Sequence, residues 1–289
     1  MYNSWRTSRS RFLPFSFGNR EFFCTFARKT EKTSDSAVRM RYFITLSYYG
    51  AAYHGWQIQP GVPTVQETLQ RALSTLLRQG VEVVGAGRTD TGVHARRMVA
   101  HFDWPQAVDG PQLAYKLNKL LPRDIAVQAV EPVPQEMHAR FSALSRTYHY
   151  YLHLHKDPFL QGRSWQMYGP LDFQAMNRAA GLLLGSHDFT SFSKLHTDTK
   201  TNDCTVSEAR WDELRPGEWR FTISANRFLR NMVRAVVGTL IEVGRGRMTT
   251  EEFLRVIGQK DRCQAGESVP AHGLYLVNVE YDLRPLDNL

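Results

Sequence analysis

The stretch that decides the fold is Gly85-Ala86-Gly87-Arg88-Thr89-Asp90-Thr91-Gly92-Val93-His94-Ala95. It follows a short β-branched segment and contains three glycines, which predicts a tight turn directly after a strand. A dinucleotide-binding fingerprint would need glycine at position 90, where the carboxylate would instead repel a pyrophosphate. A P-loop would need a following Gly-Lys-Ser/Thr, which the sequence does not contain. The turn therefore fits neither nucleotide motif, and its glycines allow the backbone to approach a ligand closely.

The turn places Arg88 and Asp90 two residues apart. A guanidinium beside a carboxylate in a partly buried site favours the ionised carboxylate. An ionised, oriented carboxylate is what nucleophilic catalysis by aspartate requires. The same two residues would equally suit a surface turn with a structural ion pair. On these residues alone, both interpretations stay open.

Hydrophobic periodicity on both sides of the turn predicts strands that alternate with helices. Thr64 and Glu67 have the spacing of a capping box. The predicted strands are 42–49, 82–84, 98–102, 125–130, 148–154, 205–213, 219–224 and 274–281, and the predicted helices are 64–80, 111–121, 172–184, 227–243 and 250–257. Because the alternation occurs twice, we expect an α+β protein of two similar halves around a mixed sheet. With Pro132 and Pro134 near the boundary, the predicted halves are 40–144 and 145–289.

Residues 1–39 lack the periodic pattern that begins at Met40. They contain eight Lys or Arg and three Asp or Glu, so they hold +5 of the net charge of +8. Three interpretations are open: a disordered basic arm, a transit-type presequence that would direct the chain to mitochondria, or translated sequence upstream of a true start at Met40. A polyanionic partner must therefore be argued from charges in the rest of the chain.

The composition predicts a folded protein of a reducing compartment. Hydrophobic residues make up 42% and charged residues 22% of the chain, which is ordinary for a globular protein. Cys24, Cys204 and Cys263 neither pair evenly nor show metal-ligand spacing, so we expect no disulfide framework and no metal site. Without an apolar run near the ~18–20 residues of a membrane span, we expect no membrane partner and a cytoplasmic location.

A second cluster combines tyrosines with arginines. Tyr148 and Tyr150 share one face of a predicted strand, and Arg140 and Arg146 flank them in sequence. Aromatic rings beside arginines suit a base-stacking surface. Tyrosines also pack within ordinary sheets, so both interpretations stay open.

A third cluster is a row of arginines. Arg227, Arg230 and Arg234 fall at i, i+3 and i+7 of the predicted helix 227–243 and would share one side of it. Together with Arg245, they would suit either contacts with a phosphate backbone or a solvated helix face.

Seven blocks in order resemble the tRNA pseudouridine synthase A family. They are Tyr53–Gln59, Gly87–Asp90 with Gly92–His94, His138–Ala143, Arg146–Tyr148, Asp188–Phe192, Met232–Arg234 and Gly273–Leu276. The resemblance runs from about Arg41 to Tyr281. Met98 departs from it, since relatives often have glutamine there.

The resemblance implies the pseudouridine synthase fold, in which two similar α/β halves form one continuous, mixed and largely antiparallel sheet with a central cleft. It also implies an isomerase that converts uridine to pseudouridine at positions 38, 39 and 40 of the tRNA anticodon stem-loop. Such an enzyme would bind tRNA as a homodimer and would use neither a cofactor nor a metal. The alternatives are a related synthase acting on another RNA and a catalytically silent tRNA-binding protein.

The resemblance further implies roles for single residues. Asp90 would break the glycosidic bond, either by attacking the ribose or by assisting elimination, and Arg234 would pair with it. Arg88 would hold the flipped strand. Tyr148 would stack on the uracil and take the proton from C5. The remaining assignments are Leu274 for packing of the pocket and Arg227, Arg230 and Arg245 for tRNA phosphates.

Overall fold

A computed structural model describes residues 39–194 and 201–282, so the interpretations of residues 1–38 lie outside the described residues. Within these ranges, ten strands form one sheet and five α-helices accompany it. The strands are β1 (Met40–Tyr48), β2 (Val84–Gly85), β3 (His94–Trp104), β4 (Ile125–Val133), β5 (Ala143–His153), β6 (Trp165–Gln166), β7 (Gly185–Asp188), β8 (Asp203–Arg215), β9 (Glu218–Ala225) and β10 (Leu274–Tyr281). The helices are α1 (Val65–Leu77), α2 (Gly110–Leu120), α3 (Phe173–Gly181), α4 (Met232–Gly244) and α5 (Thr250–Gln259).

The sheet is mixed and mostly antiparallel. Its strand order is β4-β1-β3-β10-β5-β9-β8-β7, with β2 paired to β3 and β6 paired to β5. β10 runs parallel to β3 and antiparallel to β5, so it joins the strands of the first half to those of the second. The predicted fold class, α+β with one continuous mixed sheet, is confirmed.

Two hydrophobic cores lie against this sheet. The first contains α1 and α2 with β1, β3 and β4, and the second contains α3, α4 and α5 with β8 and β9. A row of directly paired residues crosses the middle of the sheet and shares one face of it: Tyr48, Ala95, Leu276, Tyr148 and Ile223. Tyr148 is partly buried and packs against both cores. The fold therefore places this tyrosine between the two halves.

Local sequence explains several element ends. The Thr64 side chain accepts a hydrogen bond from the backbone N–H of Glu67 at 3.4 Å, which is one half of the predicted capping box. α1 ends at Leu77 rather than Gly80, because Arg78 adopts a left-handed conformation with φ of 56°. β4 continues through Pro132, which is tolerated because β4 is an edge strand. None of the helices in the described ranges is long and apolar enough to span a bilayer.

The predicted helix 227–243 is wrong at its start. α4 begins only at Met232, because Asn231 has a positive φ of 67°, a conformation outside the right-handed helical region. Arg227 and Arg230 therefore lie in the loop before the helix that carries Arg234. The expected row of three arginines along one helix face is not formed.

Candidate active site

The turn that carries Asp90 packs directly against the segment Tyr53–Gln59. A Cβ atom at Gly55, whose φ is +86°, would lie 2.2 Å from the Thr89 carbonyl oxygen, so only glycine fits there. A Cβ at Gly85 would lie 2.5 Å from the Trp56 indole. The Trp56 backbone N–H also donates to the Thr89 carbonyl at 3.2 Å. Two blocks that are separate in the sequence therefore form one structural unit.

Hydrogen bonds on both sides fix the backbone at Asp90. The buried Thr89 hydroxyl is bonded to the Tyr48 hydroxyl at 2.9 Å. The Val93 N–H donates to the Asp90 carbonyl at 3.1 Å, and the Gly92 N–H donates to the Tyr53 carbonyl at 3.3 Å. The Asp90 side chain itself is 27% exposed. It is thus held in a defined place and remains accessible from solvent.

Two arginines from the second half reach the Asp90 carboxylate. Arg234 Nη1 lies 3.6 Å from Oδ2, and Arg230 Nε lies 3.9 Å from Oδ1. Arg234 is itself fixed, because its Nε donates to the Val269 carbonyl at 2.7 Å. The structure therefore brings Arg234 to Asp90 and adds Arg230, which the sequence predicts only as a phosphate contact.

Arg88 does not take the place that its position next to Asp90 suggests. Its side chain is exposed, and the ion pairs described for Asp90 both come from the second half. The ion pair between Arg88 and Asp90 that the turn alone left open is not among the described ion pairs, and Arg234 lies near Asp90 as the resemblance implies. Arg88 is available for a ligand rather than engaged with the carboxylate.

Tyr148 lies within electrostatic range of this carboxylate. Burial raises the pKa of its phenol, and the negative charge of Asp90 raises that pKa further. The ring contacts Phe228 edge-to-face, with 5.0 Å between the centroids. Tyr148 therefore presents a neutral phenol where the two hydrophobic cores meet.

Tyr150 has the packing role that the sequence left open. It is fully buried in the second core, and its hydroxyl donates to the Pro270 carbonyl at 3.0 Å. Of the two tyrosines, only Tyr148 has its pKa raised by the charge of Asp90.

Arg146 connects the parts of the site through its guanidinium. Nη1 donates to the carbonyls of Ala143 and Asn226, each at 2.9 Å, and Nη2 donates to those of Ala86, at 3.1 Å, and Arg140. Burial lowers the pKa of this group. Within residues 39–194 and 201–282, its described acceptors are all carbonyls and none is a carboxylate. One side chain thus ties the Asp90 turn to the loop that leads to Arg230.

The other predicted site residues have contacts with parts of the chain other than Asp90. Leu274 is buried in the second core and pairs with Tyr150 across the strands. Arg227 donates to the Thr201 carbonyl at 3.2 Å. Arg245 follows the end of α4, roughly 16 Å along the helix from Arg234 at 1.5 Å per residue, and pairs with Glu242 at 3.2 Å. Arg245 therefore forms an ion pair with an acidic residue of α4.

The sequence model described as tRNA pseudouridine synthase matches residues 44–142 and 179–282. The chain belongs to the tRNA pseudouridine synthase family. The matched residues include the Asp90 turn and Arg234, and the resemblance and enzyme class predicted from the sequence, an isomerase of this family, are confirmed.

Individual relatives are similar over most of their length. A tRNA pseudouridine synthase A of Bacteroides thetaiotaomicron is 58% identical over 243 residues, which cover 83% of this chain and 90% of the relative. One from Bacillus subtilis is 41% identical over 247 residues, which cover 84% of this chain and 100% of the relative. A crystal structure of a Cbf5-Nop10-Gar1 complex matches with a TM-score of 0.30 at 12% identity, over 69% of this chain and 54% of that chain.

Sequence reasoning missed three features of the site. Arg230 reaches Asp90, Trp56 shapes the turn, and Arg146 joins the surrounding loops. Arg146 and Trp56 lie inside blocks that resemble the family, which was the available signal. The sequence contained no local signal that Arg230 approaches Asp90, because this approach depends on the loop conformation before α4.

Proposed function

We propose that this chain isomerises uridine to pseudouridine in tRNA, at positions 38, 39 and 40 of the anticodon stem-loop. The observation that carries the proposal is the Asp90 carboxylate on a fixed turn, with Arg230 and Arg234 within 4 Å of it and the neutral phenol of Tyr148 within electrostatic range of it. Membership of the tRNA pseudouridine synthase family supports the same substrate.

The proposed chemistry needs a nucleophile, a proton path and positioning. The target nucleotide leaves its stack and enters the pocket. Asp90 breaks the bond between C1′ and N1, by attack on the ribose or by assisting elimination, and the detached uracil anion then bonds to C1′ through C5. After attack on the ribose, this last step displaces the Asp90 carboxylate from C1′. After elimination, in which Asp90 takes the C2′ proton, the same step returns that proton to C2′. The proton on C5 is finally released. Bonds are exchanged without a change of oxidation state, so the reaction is redox-neutral.

Tyr148 is proposed to stack on the uracil and to relay the C5 proton. Its raised pKa keeps the phenol protonated, so the hydroxyl can take that proton only while passing its own to another base. The Asp90 carboxylate is near enough to influence Tyr148 electrostatically and is the acceptor that we propose. Arg88 on the outer surface of the turn holds the displaced strand, and Leu274 packs beneath the pocket.

The phosphate contacts are proposed for Arg227, Arg230 and Arg245. Arg230 serves the carboxylate and the RNA together, since its side chain is 55% exposed. Loss of one phosphate contact weakens binding similarly for every RNA sequence and reduces its salt dependence.

The decisive experiment measures tritium release from tRNA labelled at C5 of uridine. The wild-type protein should release tritium, and Asp90→Asn should release none while binding tRNA with little change, because the substitution keeps shape and removes charge. Glu136→Gln is a matched control, since Glu136 is an exposed carboxylate of the same half. Turnover by Asp90→Asn would overturn the assignment.

Two outcomes separate the alternatives. If the wild-type protein binds tRNA but releases no tritium, it is a catalytically silent tRNA-binding protein. Pseudouridine mapping in cells that lack the protein distinguishes RNA substrates. Loss at positions 38, 39 and 40 of tRNA supports the proposal, and loss only in another RNA contradicts it.

We also propose that the protein acts as a homodimer in the cytoplasm. The support is the resemblance to the tRNA pseudouridine synthase A family, whose members bind one tRNA with both subunits. Light scattering coupled to size-exclusion chromatography should give twice the chain mass of 33.2 kDa. A mass of one chain at catalytic concentrations would contradict the dimer.

A further inference from the structure

Phe141 is an aromatic residue whose ring the proposed mechanism leaves without a role. Its side chain is 77% exposed. The guanidinium carbon of Arg140 lies 5.6 Å from the centre of the ring, within cation–π range. Single exposed aromatic residues are common, so exposure alone is not an argument for a site. The support comes from how the ring is held and where it lies.

The loop that carries Phe141 is held by its own hydrogen bonds. His138 Nδ1 accepts from the backbone N–H groups of Arg140, at 3.1 Å, and Phe141, at 3.3 Å. Ser142 closes the loop, since its Oγ accepts from the His138 N–H and its N–H donates to the His138 carbonyl, both at 2.9 Å. Burial and neighbouring arginines lower the pKa of His138, which favours the neutral, accepting ring.

The same histidine supports the phenylalanine ring from one side. The two ring centroids are 4.4 Å apart. A ring that is already held in place loses little conformational entropy when a ligand binds to it. Phe141 therefore offers an aromatic ring that is held by its neighbour and is still largely exposed to solvent.

This surface adjoins the Asp90 turn. Nη2 of Arg146 donates both to the Arg140 carbonyl and to the Ala86 carbonyl, four residues before Asp90. Arg88, on the same turn, and Arg140 have exposed side chains. An aromatic ring among exposed guanidinium groups at the rim of the site suits a polyanion that carries flat, unpaired bases.

We propose that Phe141 and Arg140 form a stacking subsite for an unpaired base that flanks the target uridine. The inference rests on the proposed function, since it assigns a second contact to the same RNA. The base stacks on the exposed Phe141 ring, and Arg140 attracts the adjoining phosphate. Because every base has a π-face, the subsite adds affinity and holds the flanking nucleotide without reading its identity.

Tyr115 provides a matched control elsewhere on the surface. Its side chain is 64% exposed, and Lys119 Nζ lies 5.4 Å from its ring centre. It thus has the same combination of exposed ring and cation. α2, which carries Tyr115, packs on the edge strand β4 rather than beside the Asp90 turn.

The test uses an anticodon stem-loop RNA in which 2-aminopurine replaces, one at a time, each nucleotide that flanks the target uridine. Binding of the wild-type protein should quench the fluorescence at one of these positions through stacking. Phe141→Ala should lose this quenching and bind about ten-fold more weakly, within the range for base-stacking aromatics. Phe141→Trp should keep both, and Tyr115→Ala should behave as wild type.

Phe141→Leu separates stacking from simple apolar contact. It keeps an apolar side chain and removes the π-face, so it should lose the quenching while unfolding at the wild-type temperature. Wild-type quenching and affinity in both Phe141→Ala and Phe141→Leu would overturn the subsite, as would an equal loss in Tyr115→Ala. Tritium release by the wild type on the same RNA tests the proposed function independently, so a failure of the subsite alone leaves turnover intact.

Discussion

The two arginines at Asp90 stand farther from the carboxylate than a hydrogen-bonded ion pair would. Their nitrogens lie 3.6 and 3.9 Å from its oxygens, whereas a tight guanidinium–carboxylate pair is about 2.7–2.9 Å long. A tight pair would occupy the oxygen lone pairs. At the observed spacing, the positive charges attract the carboxylate without occupying its lone pairs, which the proposed mechanism needs for the ribose or a proton.

The hydroxyl of Tyr148 is testable at the same scale. Tyr148→Phe keeps the stacking surface and removes the proton relay, so kcat should fall at least about ten-fold while KM for tRNA changes little. A deuterium isotope effect for uridine labelled at C5 should appear or grow in this variant, because proton release becomes slower.

Tyr150→Phe is the matched control, because it removes a hydroxyl from the same strand face, and that hydroxyl donates to the Pro270 carbonyl. It should lower the free energy of unfolding by about 1 kcal/mol without changing kcat. Wild-type kcat in Tyr148→Phe would restrict that residue to stacking, and wild-type kcat in Tyr148→Ala would remove it from the site.

Sequence alone predicted the candidate residues that depend on local constraints. Asp90 stands in a glycine-rich turn, where Gly85 has no room for a Cβ and Gly92 has a positive φ of 79°. Arg234 lies in a block that resembles the family. Arg230 was not predicted beside Asp90, since that contact depends on the left-handed conformation of Asn231. No periodic pattern reports such a backbone conformation.

At the scale of elements, Arg146 joins by hydrogen bonds two segments that are far apart in the sequence. Its guanidinium bonds the Asp90 turn at Ala86 and the end of β9 at Asn226. Since Asp90 lies on the first segment and Arg230 follows the second, we infer that this side chain helps to set the spacing between the carboxylate and its arginines. We therefore expect it to be a positioning residue.

Arg146→Lys should lower kcat roughly ten- to hundred-fold with a smaller change in tRNA affinity, because an error near 1 Å in the reacting groups is enough for such a loss. A lysine has no planar fork and cannot reach all four carbonyls. The free energy of unfolding should fall by about 2 kcal/mol as carbonyls lose their charged donor. Steady-state kinetics and thermal unfolding measure the two effects separately.

Arg41→Lys is a control for stability alone. Arg41 also bonds in a fork, to Asp103 at 2.7 and 2.8 Å, but at the opposite end of β3 from the Asp90 turn. It should lose comparable stability and keep wild-type kcat. An equal loss of kcat in both variants would reduce Arg146 to a general structural role.

Element boundaries were predictable where a side chain determines them. β10 spans 274–281 in both the prediction and the structure, and α5 begins with the capping box of Thr249 and Glu252. β3 extends from His94 to Trp104 rather than 98–102, because pairing with β1 and β10 prolongs it. Pairing of this kind depends on distant strands, and a local window of sequence does not contain it.

At the scale of the whole molecule, β10 pairs with both β3 and β5. This pairing joins the two halves that contribute residues to the proposed site. Neither half contains Asp90 and its arginines together: the turn belongs to the first half, and Arg230 and Arg234 belong to the second. The division into 40–144 and 145–289 stays a prediction. Because the proposed site needs residues from both parts, we expect neither part alone to turn over tRNA.

The last prediction concerns residues 1–39 and uses a protein that starts at Met40. β1 begins at Met40, and all proposed site residues lie after it, so this protein should fold, dimerise and turn over tRNA at near the full rate at moderate salt. Without the first 39 residues the net charge falls from +8 to +3. Nonspecific attraction to RNA should weaken accordingly, and only at low salt, where phosphate contacts contribute most to affinity.

The comparison is a salt series of kcat and Kd for the full-length and Met40-start proteins on one tRNA. The Kd values should diverge at low salt and converge as salt rises, while kcat stays equal throughout, because the difference is electrostatic and lies outside the reacting groups. A full-length protein in which Arg6, Arg9 and Arg11 are replaced by glutamine should shift Kd in the same direction by a smaller amount. A loss of kcat in the Met40-start protein at every salt concentration would contradict this prediction and would make the first 39 residues part of the catalytic unit.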